Sequence, residues 1–489
     1  MRILLIQPSE FKSTVISRAY SDHGALKIIK GGSIRRVMAL PPLGLMYLAT
    51  PLLGAGHQVI ILDAHTLQLS NGEIAREAAR INPDLIGITV YSTYLTVVHY
   101  LTEILKKTVN VPILLGGPHI TAAPQESLSL FTHADYFLSG WAEISIIDFI
   151  DFMNGNRTIK DIPGLCYIDN GMFNKNQDPV LPETAEGLIA PSREPLKDMY
   201  TNHLYFNIMS SRKNMDALLT SRICPFSCKF CFSPGRSRLL AHTPGKVMQD
   251  ISEMVNRGIN AIEIMDDTFT VNRDRAEEIA DRVIESKFEL EFRLRSRVDQ
   301  ISPELLKKFK RMGVRSISYG MESGSQVMLD YMNKKTTIEQ NESACFHTKK
   351  SGILCQTSWV FGYPGETKKT RNETLRFIEK ISPDTFTFYP LLPLPGTQVY
   401  EEAKKNNTLI GAWDIDKKTP YIRTDEVTDL EQFELFISKE HHRLLMRPRY
   451  LFQVFFYLVK HPNLRLISLG LLFLFNKITD IEALIKPKN

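Results

Sequence analysis

The sequence predicts an α/β protein in four parts. These are an N-terminal doubly wound, Rossmann-like sheet domain over residues 1–145, a connector over 146–214, a partial (β/α)6 barrel of the TIM type over 215–400, and a helical C-terminal segment over 401–489. Three observations predict it. Short apolar runs alternate with helical stretches at the N-terminus, the same rhythm returns as six units after Asp216, and Pro, Gly and Asn interrupt the chain between them. A chain of 489 residues is also too long for one ordinary core.

In the first domain Ile3 to Ile6, Gln58 to Leu62, Leu85 to Val90 and Val111 to Leu115 are predicted as buried parallel strands, because each is short and apolar. Leu45 to Leu53, Ile74 to Ile81 and Val97 to Lys107 are the helices between them. Met1 to Gln7 has one charge and neither a long apolar stretch nor a small-residue cleavage site, so it reads as the first strand rather than a signal peptide. The strand ends carry Asp63, Thr89, Ser92, Gly116-Gly117-Pro118-His119 and Gly140. Ligands of such sheets bind outside the carboxyl ends of the strands, and glycine there lets backbone approach a bulky ligand. A plain strand-to-helix turn is the alternative at Gly116-Gly117. No GxGxxG and no Walker A motif follows a strand, which argues against a dinucleotide or a nucleoside triphosphate.

The connector is punctuated by Asn154-Gly155-Asn156, Pro163-Gly164, Asn170-Gly171, Pro179, Pro182, Pro191 and Pro195, a pattern of irregular chain with one small hairpin. Cys166 is read as a buried apolar thiol.

The barrel strands are predicted near Ala217 to Thr220, Ala261 to Met265, Glu291 to Arg295, Ser316 to Gly320, Leu354 to Phe361 and Thr385 to Tyr389, with helices such as Pro244 to Arg257 and Arg273 to Ser286 in the gaps. Chemistry in such barrels sits at the carboxyl ends of the strands. There the first strand runs into Cys224-Pro-Phe-Ser-Cys228-Lys-Phe-Cys231, a Cys-x3-Cys-x2-Cys spacing. Thiolates are soft ligands suited to iron–sulfur clusters or zinc. Three close cysteines can each hold one iron of a cubane and leave the fourth open. A structural zinc site wants a fourth ligand; His242 is the nearest candidate, and paired knuckles are missing. Cys345 and Cys355 fall in a helix and a strand and read as core.

The C-terminal segment holds His441-His442-Arg443, then an apolar and aromatic run to Lys460, then a second run from Leu466 to Phe475. Neither reaches the roughly 18–20 residues of a spanning helix. Such runs edged by Arg and Lys suit a helix lying in the membrane interface, or else a helix docked on the protein itself or on a second subunit. His441 and His442 read as surface residues. The net charge of +5 is small for the length and gives no reason to expect nucleic acid. Six cysteines, three of them within eight residues, suit a reduced cytoplasmic protein better than a disulfide framework.

Taken in order, Pro41-Pro42-Leu43-Gly44-Leu45, Gly56-His57-Gln58-Val59 ending in Leu62-Asp63, Gly116-Gly117-Pro118-His119 and Asp135 to Gly140 resemble the cobalamin-binding domain that precedes many radical S-adenosylmethionine (SAM) domains. Cys224-x3-Cys228-x-Phe230-Cys231 after a strand resembles the radical SAM signature. It is followed by Asp266-Asp267-Thr268-Phe269, Arg297 and Asp299, Gly320-Met-Glu322-Ser323-Gly324-Ser325, Gly362-Tyr-Pro364-Gly365-Glu366-Thr367 and Pro393-Leu-Pro395-Gly396-Thr397 at successive strand ends. The resemblance spans about residues 1 to 400 and is to the radical SAM subgroup with an N-terminal cobalamin (B12)-binding domain.

That resemblance implies three cofactors: a [4Fe-4S] cluster on Cys224, Cys228 and Cys231, SAM, and cobalamin. It implies SAM contacts from Glu322 and Ser323, a carboxylate partner in Arg297, an adenine side shaped by Gly362, Pro364 and Gly365, and Asp266, Asp267 and Gly320 in the same pocket. Cobalamin would lie against Asp63, Thr89, Ser92, Gly116, Gly117, His119 and Gly140. The Asp-x-His-x-x-Gly motif that supplies a cobalt ligand in methionine-synthase-type domains is absent. Asp63-Ala64-His65 has Gln68 where Gly is needed, so His65 reads as a loop residue and cobalamin is expected with its own base displaced and no protein His on cobalt. The implied activity is C-methylation of an unactivated carbon through a 5′-deoxyadenosyl radical and methylcobalamin. The alternatives are a ring closure, oxidation or rearrangement without methyl transfer, and a non-enzymatic cobalamin or metal sensor. The expected partners are a small-molecule substrate, with the apolar tail hinting at a lipid or other apolar metabolite, an electron donor such as flavodoxin or ferredoxin, and a peripheral membrane surface.

Overall fold

The computed structural model describes residues 1–9, 28–30, 33–35, 38–207, 209–233, 239–415 and 419–460. The run Leu466 to Phe475 lies outside these.

The first domain is built on β1 (Arg2–Gln7), β2 (Gln58–Asp63), β3 (Leu85–Thr89), β4 (Ile113–Gly116), β5 (Tyr136–Leu138), β6 (Leu165–Asp169) and β7 (Met172–Lys175). Their spatial order is β7-β6-β5-β4-β3-β1-β2. β1 to β5 are parallel, in the flavodoxin-like order whose switch point lies between β1 and β3. Their residues are apolar on both faces because both faces are covered. Leu4, Ile6, Ile86, Ile88, Ile113 and Leu115 pack under α2 (Asn71–Ile81) and α3 (Leu95–Thr108). Ile3, Leu5, Leu85, Leu114 and Leu138 face α1 (Leu43–Gly54) and α4 (Ala142–Met153).

The sheet extends into the segment expected to be a connector. β6 and β7 form an antiparallel hairpin joined to β5. Asn170 (φ 50°) and Gly171 (φ 77°) turn it, the two positive φ values that a two-residue hairpin turn of the right twist needs.

The barrel strands are β8 (Met215–Leu218), β9 (Ala261–Ile264), β10 (Glu291–Ser296), β11 (Val314–Glu322), β12 (Leu354–Phe361) and β13 (Thr385–Pro390). They pair in sequence order and all in parallel. Around them lie α5 (Pro244–Asn256), α6 (Arg273–Ser286), α7 (Pro303–Met312), α8 (Ile338–Lys350) and α9 (Lys368–Ile381). Thr243, Asn272, Ser302, Thr337 and Thr367 cap them with side-chain oxygens on backbone amides, which satisfies donors a helix start leaves open.

α10 (Leu430–Leu445) and α11 (Pro448–Lys460) complete the described chain. α10 lies along β13, with Phe433 against Gly362 near one end and His441 hydrogen-bonded to the Phe386 carbonyl near the other. It therefore covers the open edge that a partial barrel leaves. α11 crosses the opposite end of the barrel from the cysteine loop. Among the described residues no helix is long and apolar enough to cross a membrane.

Candidate active site

Ser221 and Arg222 leave β8 as a short antiparallel bridge with Leu240–Ala241. The loop then carries Cys224 half-buried, Cys228 buried and Cys231 exposed, none in a disulfide. The helical segments that follow β11 and β13 hold it in place. The Lys229 amide donates to Met332 O (3.0 Å) and Lys229 O accepts from the Val399 amide (3.0 Å). Asn333 donates to Ser227 O (2.8 Å) and Oγ (2.9 Å). Phe230 packs edge-on against the fully buried Tyr363, ring centroids 6.4 Å apart. Burial pushes the Cys224 thiol up.

The three soft donors on one loop fit an iron–sulfur cluster. Among the described residues no group of three or more His, Cys, Asp or Glu is placed to hold a single metal ion.

The two adjacent aspartates part ways. Asp266 is fully buried and accepts from the Thr220 amide, Thr220 Oγ1 and Ser221 Oγ, each at 2.6 Å. It fastens the strand end ahead of the cysteines and has no free face for a cofactor. Asp267 turns the other way, into a cavity. Burial raises its carboxyl, against Arg295 and a backbone hydrogen bond from Cys224.

That cavity encloses about 460 Å3, or about 1630 Å3 of empty space when the open solvent at its mouth is included. Its floor is the face of the first sheet carrying Ile3, Leu5, Leu85, Gly87, Leu114, Gly116 and Leu138, alternate residues of four neighbouring strands. Leu43 to Leu45 and Leu48 wall one side, and Thr89, Gly117, Thr121 and Gly140 form the rim. Leu219, Arg222, Ile223, Phe232, Ser233 and Asp267 close it from the barrel. A side chain at Gly44 would meet nothing within 4 Å, so the glycine leaves the space above the sheet open. The apolar floor would suit the ring faces of cobalamin, and Thr89, Thr121 and the backbone at Gly117 and Gly140 would offer hydrogen bonds to its polar arms. No histidine is among the lining residues.

Thr89, Gly116, Gly117 and Gly140 thus line the cavity as expected at strand ends. Asp63, Ser92 and His119 do not. Asp63 caps a short helix through the Thr66 amide (2.9 Å) and accepts from Tyr205 (3.2 Å). Ser92 Oγ and His119 Nδ1 bond each other at 2.9 Å, and burial lowers the His119 imidazole to about 4, so it is neutral. His65 sits 3.4 Å from the Tyr94 hydroxyl.

Arg297 is held beside the cysteine loop. Its fork is already bidentate on Asp299 (3.0 and 3.1 Å), donates to Lys334 O (2.8 Å) and lies 3.8 Å from the Phe226 ring centroid. These contacts brace the cysteine loop, and Arg297 Nη1 is left buried with no hydrogen-bond partner. Glu322, at φ 63°, pairs with Lys334 Nζ (3.1 Å). A Cβ on Gly320 would fall 2.3 Å from Glu322 Oε1 and displace that carboxylate. Ser323 Oγ shares a hydrogen bond with Thr374 (3.0 Å) and accepts from the Ser325 amide (3.1 Å). Gly362 (φ 78°) and Gly365 (φ 84°) make the turn around Pro364, and the Gly362 amide donates to Glu366 (2.9 Å).

The sequence reading passed over Arg222. Its guanidinium lies 4.4 Å from the Tyr47 centroid and 5.0 Å from that of Trp141, and pairs with Glu143. All three partners belong to the first domain, and the Arg222 side chain is only 4% exposed. Its place two residues before Cys224 was the available signal. Ile223 between them has φ 70°, a conformation a β-branched residue takes only when its surroundings impose it.

Residues 31–149 match the B12 binding domain family, and residues 218–378 match the Radical SAM superfamily. An uncharacterized methyltransferase of Pyrococcus horikoshii, PH0819, is 29% identical over 438 residues, covering 87% of this chain and 92% of its own. The anaerobic magnesium-protoporphyrin IX monomethyl ester cyclase of Rubrivivax gelatinosus is 24% identical over 431 residues, covering 84% of this chain and 75% of its own. Among solved structures, the radical SAM methyltransferase TsrM from Kitasatospora setae, with cobalamin and a [4Fe-4S] cluster bound, has a TM-score of 0.66 at 16% identity over 84% of this chain and 80% of that one. The cobalamin-dependent radical SAM enzyme OxsB, with aqua-cobalamin and SAM bound, has a TM-score of 0.62 at 18% identity over 77% of this chain, which spans about half of OxsB (52%). The two structural likenesses bear on the fold, and the two family matches meet at the cavity and the cysteine loop. The chain belongs to the radical SAM enzymes with an N-terminal B12-binding domain, and its cofactors are a [4Fe-4S] cluster, SAM and cobalamin.

Proposed function

We propose that the enzyme transfers a methyl group to an unactivated carbon of a small molecule. The observation that carries this is the shared cavity: sheet-domain glycines and barrel residues line one space, up to Ile223, the residue just before the first cysteine of the triad. When bound, the cluster and SAM supply a radical at the substrate carbon, and cobalamin supplies a methyl carrier. The chain's part is to hold the two sets of groups facing each other and to keep water out. Cys224, Cys228 and Cys231 are assigned to the cluster. Thr89, Gly116, Gly117 and Gly140 are assigned to the corrinoid side. Asp267 is assigned to the boundary between the two, where its carboxyl can accept a hydrogen bond from cofactor or substrate.

PH0819, named a methyltransferase, supports this reading. The Rubrivivax cyclase supports a second one, ring closure without methyl transfer. Anaerobic turnover separates them. Methyl transfer yields S-adenosylhomocysteine together with 5′-deoxyadenosine and a product heavier by one CH2. Deoxyadenosine alone with no added carbon would overturn it. TsrM was solved with tryptophan as substrate, which supports a small molecule here. An electron donor such as flavodoxin or ferredoxin, a cytoplasmic location and a peripheral membrane contact of the C-terminal segment belong to the same proposal.

A further inference from the structure

We infer that the closed end of the barrel docks on an anionic lipid surface through α11, so that the cofactor mouth faces the water and takes its substrate from there. This rests on the proposed peripheral membrane contact and gives it a face and a direction.

One side of α11 is fixed to the protein. Tyr450 donates to Asp384 O (3.0 Å), Gln453 to Asp384 Oδ1 (2.9 Å) and Pro383 O (3.2 Å), and Arg315 to the Tyr457 hydroxyl (3.0 Å). Asp384 and Pro383 precede β13, and Arg315 is near the start of β11. These contacts lie at the amino ends of the strands, while the cysteine loop and cavity lie at the carboxyl ends. α11 therefore sits across the molecule from the chemistry, and its position gives no support to a lipid substrate drawn directly from the bilayer.

The opposite side of α11 is bare. Leu451, Phe452, Phe455, Phe456 and Val459 are 42, 64, 60, 66 and 63% exposed and form one stripe at helical spacing. The sequence says what covers them. Between Glu440 and Asp480 there is no acidic residue, while Arg449, Lys460, Arg465 and Lys477 bracket two apolar runs, each too short to span a bilayer. Arg443 and Arg447 are already paired with Glu379. A second copy would bring like charge against like charge. An anionic headgroup layer matches both the aromatic stripe and the basic flanks.

The test is sedimentation of the full-length holoenzyme with phosphatidylglycerol–phosphatidylcholine vesicles and with phosphatidylcholine vesicles. Binding to the anionic vesicles is expected, weakening as salt is raised. The triple variant Phe452→Glu, Phe455→Glu, Phe456→Glu should partition roughly tenfold less or worse, with unchanged melting temperature and SAM cleavage. Hydrogen exchange on vesicles should slow at α11 and not at residues 116–122. The inference is overturned if the wild type ignores anionic vesicles, if the variant binds as well as wild type, if protection appears at the mouth, or if light scattering shows a dimer that the variant dissolves. SAM cleavage needs no vesicle, so failure here leaves the enzymatic reading standing.

Discussion

Replacing Arg222 by Ala leaves the Glu143 carboxylate buried without its partner and removes the plate held between Tyr47 and Trp141. Breaking a buried pair in this way costs about 3–5 kcal/mol. The expected result is a lower unfolding midpoint together with weaker corrinoid binding in a spectroscopic titration. Lys in its place restores the charge but not the planar stacking. Next to it, the left-handed backbone of Ile223 reverses an ordinary ranking: Ile223→Gly should be about 1 kcal/mol more stable than Ile223→Ala in denaturant unfolding, since both lose the side chain and only Ala keeps the Cβ penalty. Glu366 gives the pH dependence. Burial pushes its carboxyl from an ordinary 4.5 up to about 7, against the Gly362 amide and Arg371. A carboxyl raised on folding contributes stability that is intact below pH 4.5 and drains away as pH climbs through 7. Glu366→Gln keeps an oxygen for the Gly362 amide. In melting curves it should match wild type in acid and exceed it by about 3 kcal/mol above about pH 8.

β11 meets α9 closely, and that contact has its own prediction. A Cβ on Gly324 would lie 2.7 Å from both Phe377 Cβ and Thr374 Cα, so Gly324→Ala must push the helix off the strand end. Such overpacking costs about 1–3 kcal/mol, readable as a lower denaturation midpoint. Elements of this kind were legible in the sequence where a continuous apolar run made a buried strand, as in Leu85 to Val90 or Leu354 to Phe361. The hairpin β6–β7 was legible as a turn but not as part of the sheet, because its strands are short and half-exposed and their pairing with β5 is a tertiary fact. The cysteine loop was legible because its chemistry is local. The Arg222–Glu143 pair spans 79 positions and leaves no local pattern. Ser92 and His119 sit where a rim residue would sit in sequence, but they turn toward each other. Asp266 looked like a ligand because buried charge at a strand end reads the same whether it serves a cofactor or the backbone.

For the whole molecule, the cysteine loop and the sheet cavity are separable in composition but joined in space. Cys228→Ala should abolish reductive SAM cleavage and cluster absorbance in the reconstituted protein while corrinoid titration stays within about twofold of wild type, because no cysteine lines the sheet side of the cavity. Loss of both together would mean that the loop supports the corrinoid face as well. α10 covers the barrel's free edge and α11 crosses its far end, while the cavity lies where the two domains meet. That shared wall has a bearing on engineering. Its Leu and Ile side chains come from both halves, and a cut near residue 210 would send two oily half-surfaces into solvent. Grafting a foreign barrel onto this sheet, or the reverse, should give insoluble chimeras unless the Arg222 socket and the apolar lining travel as a matched set.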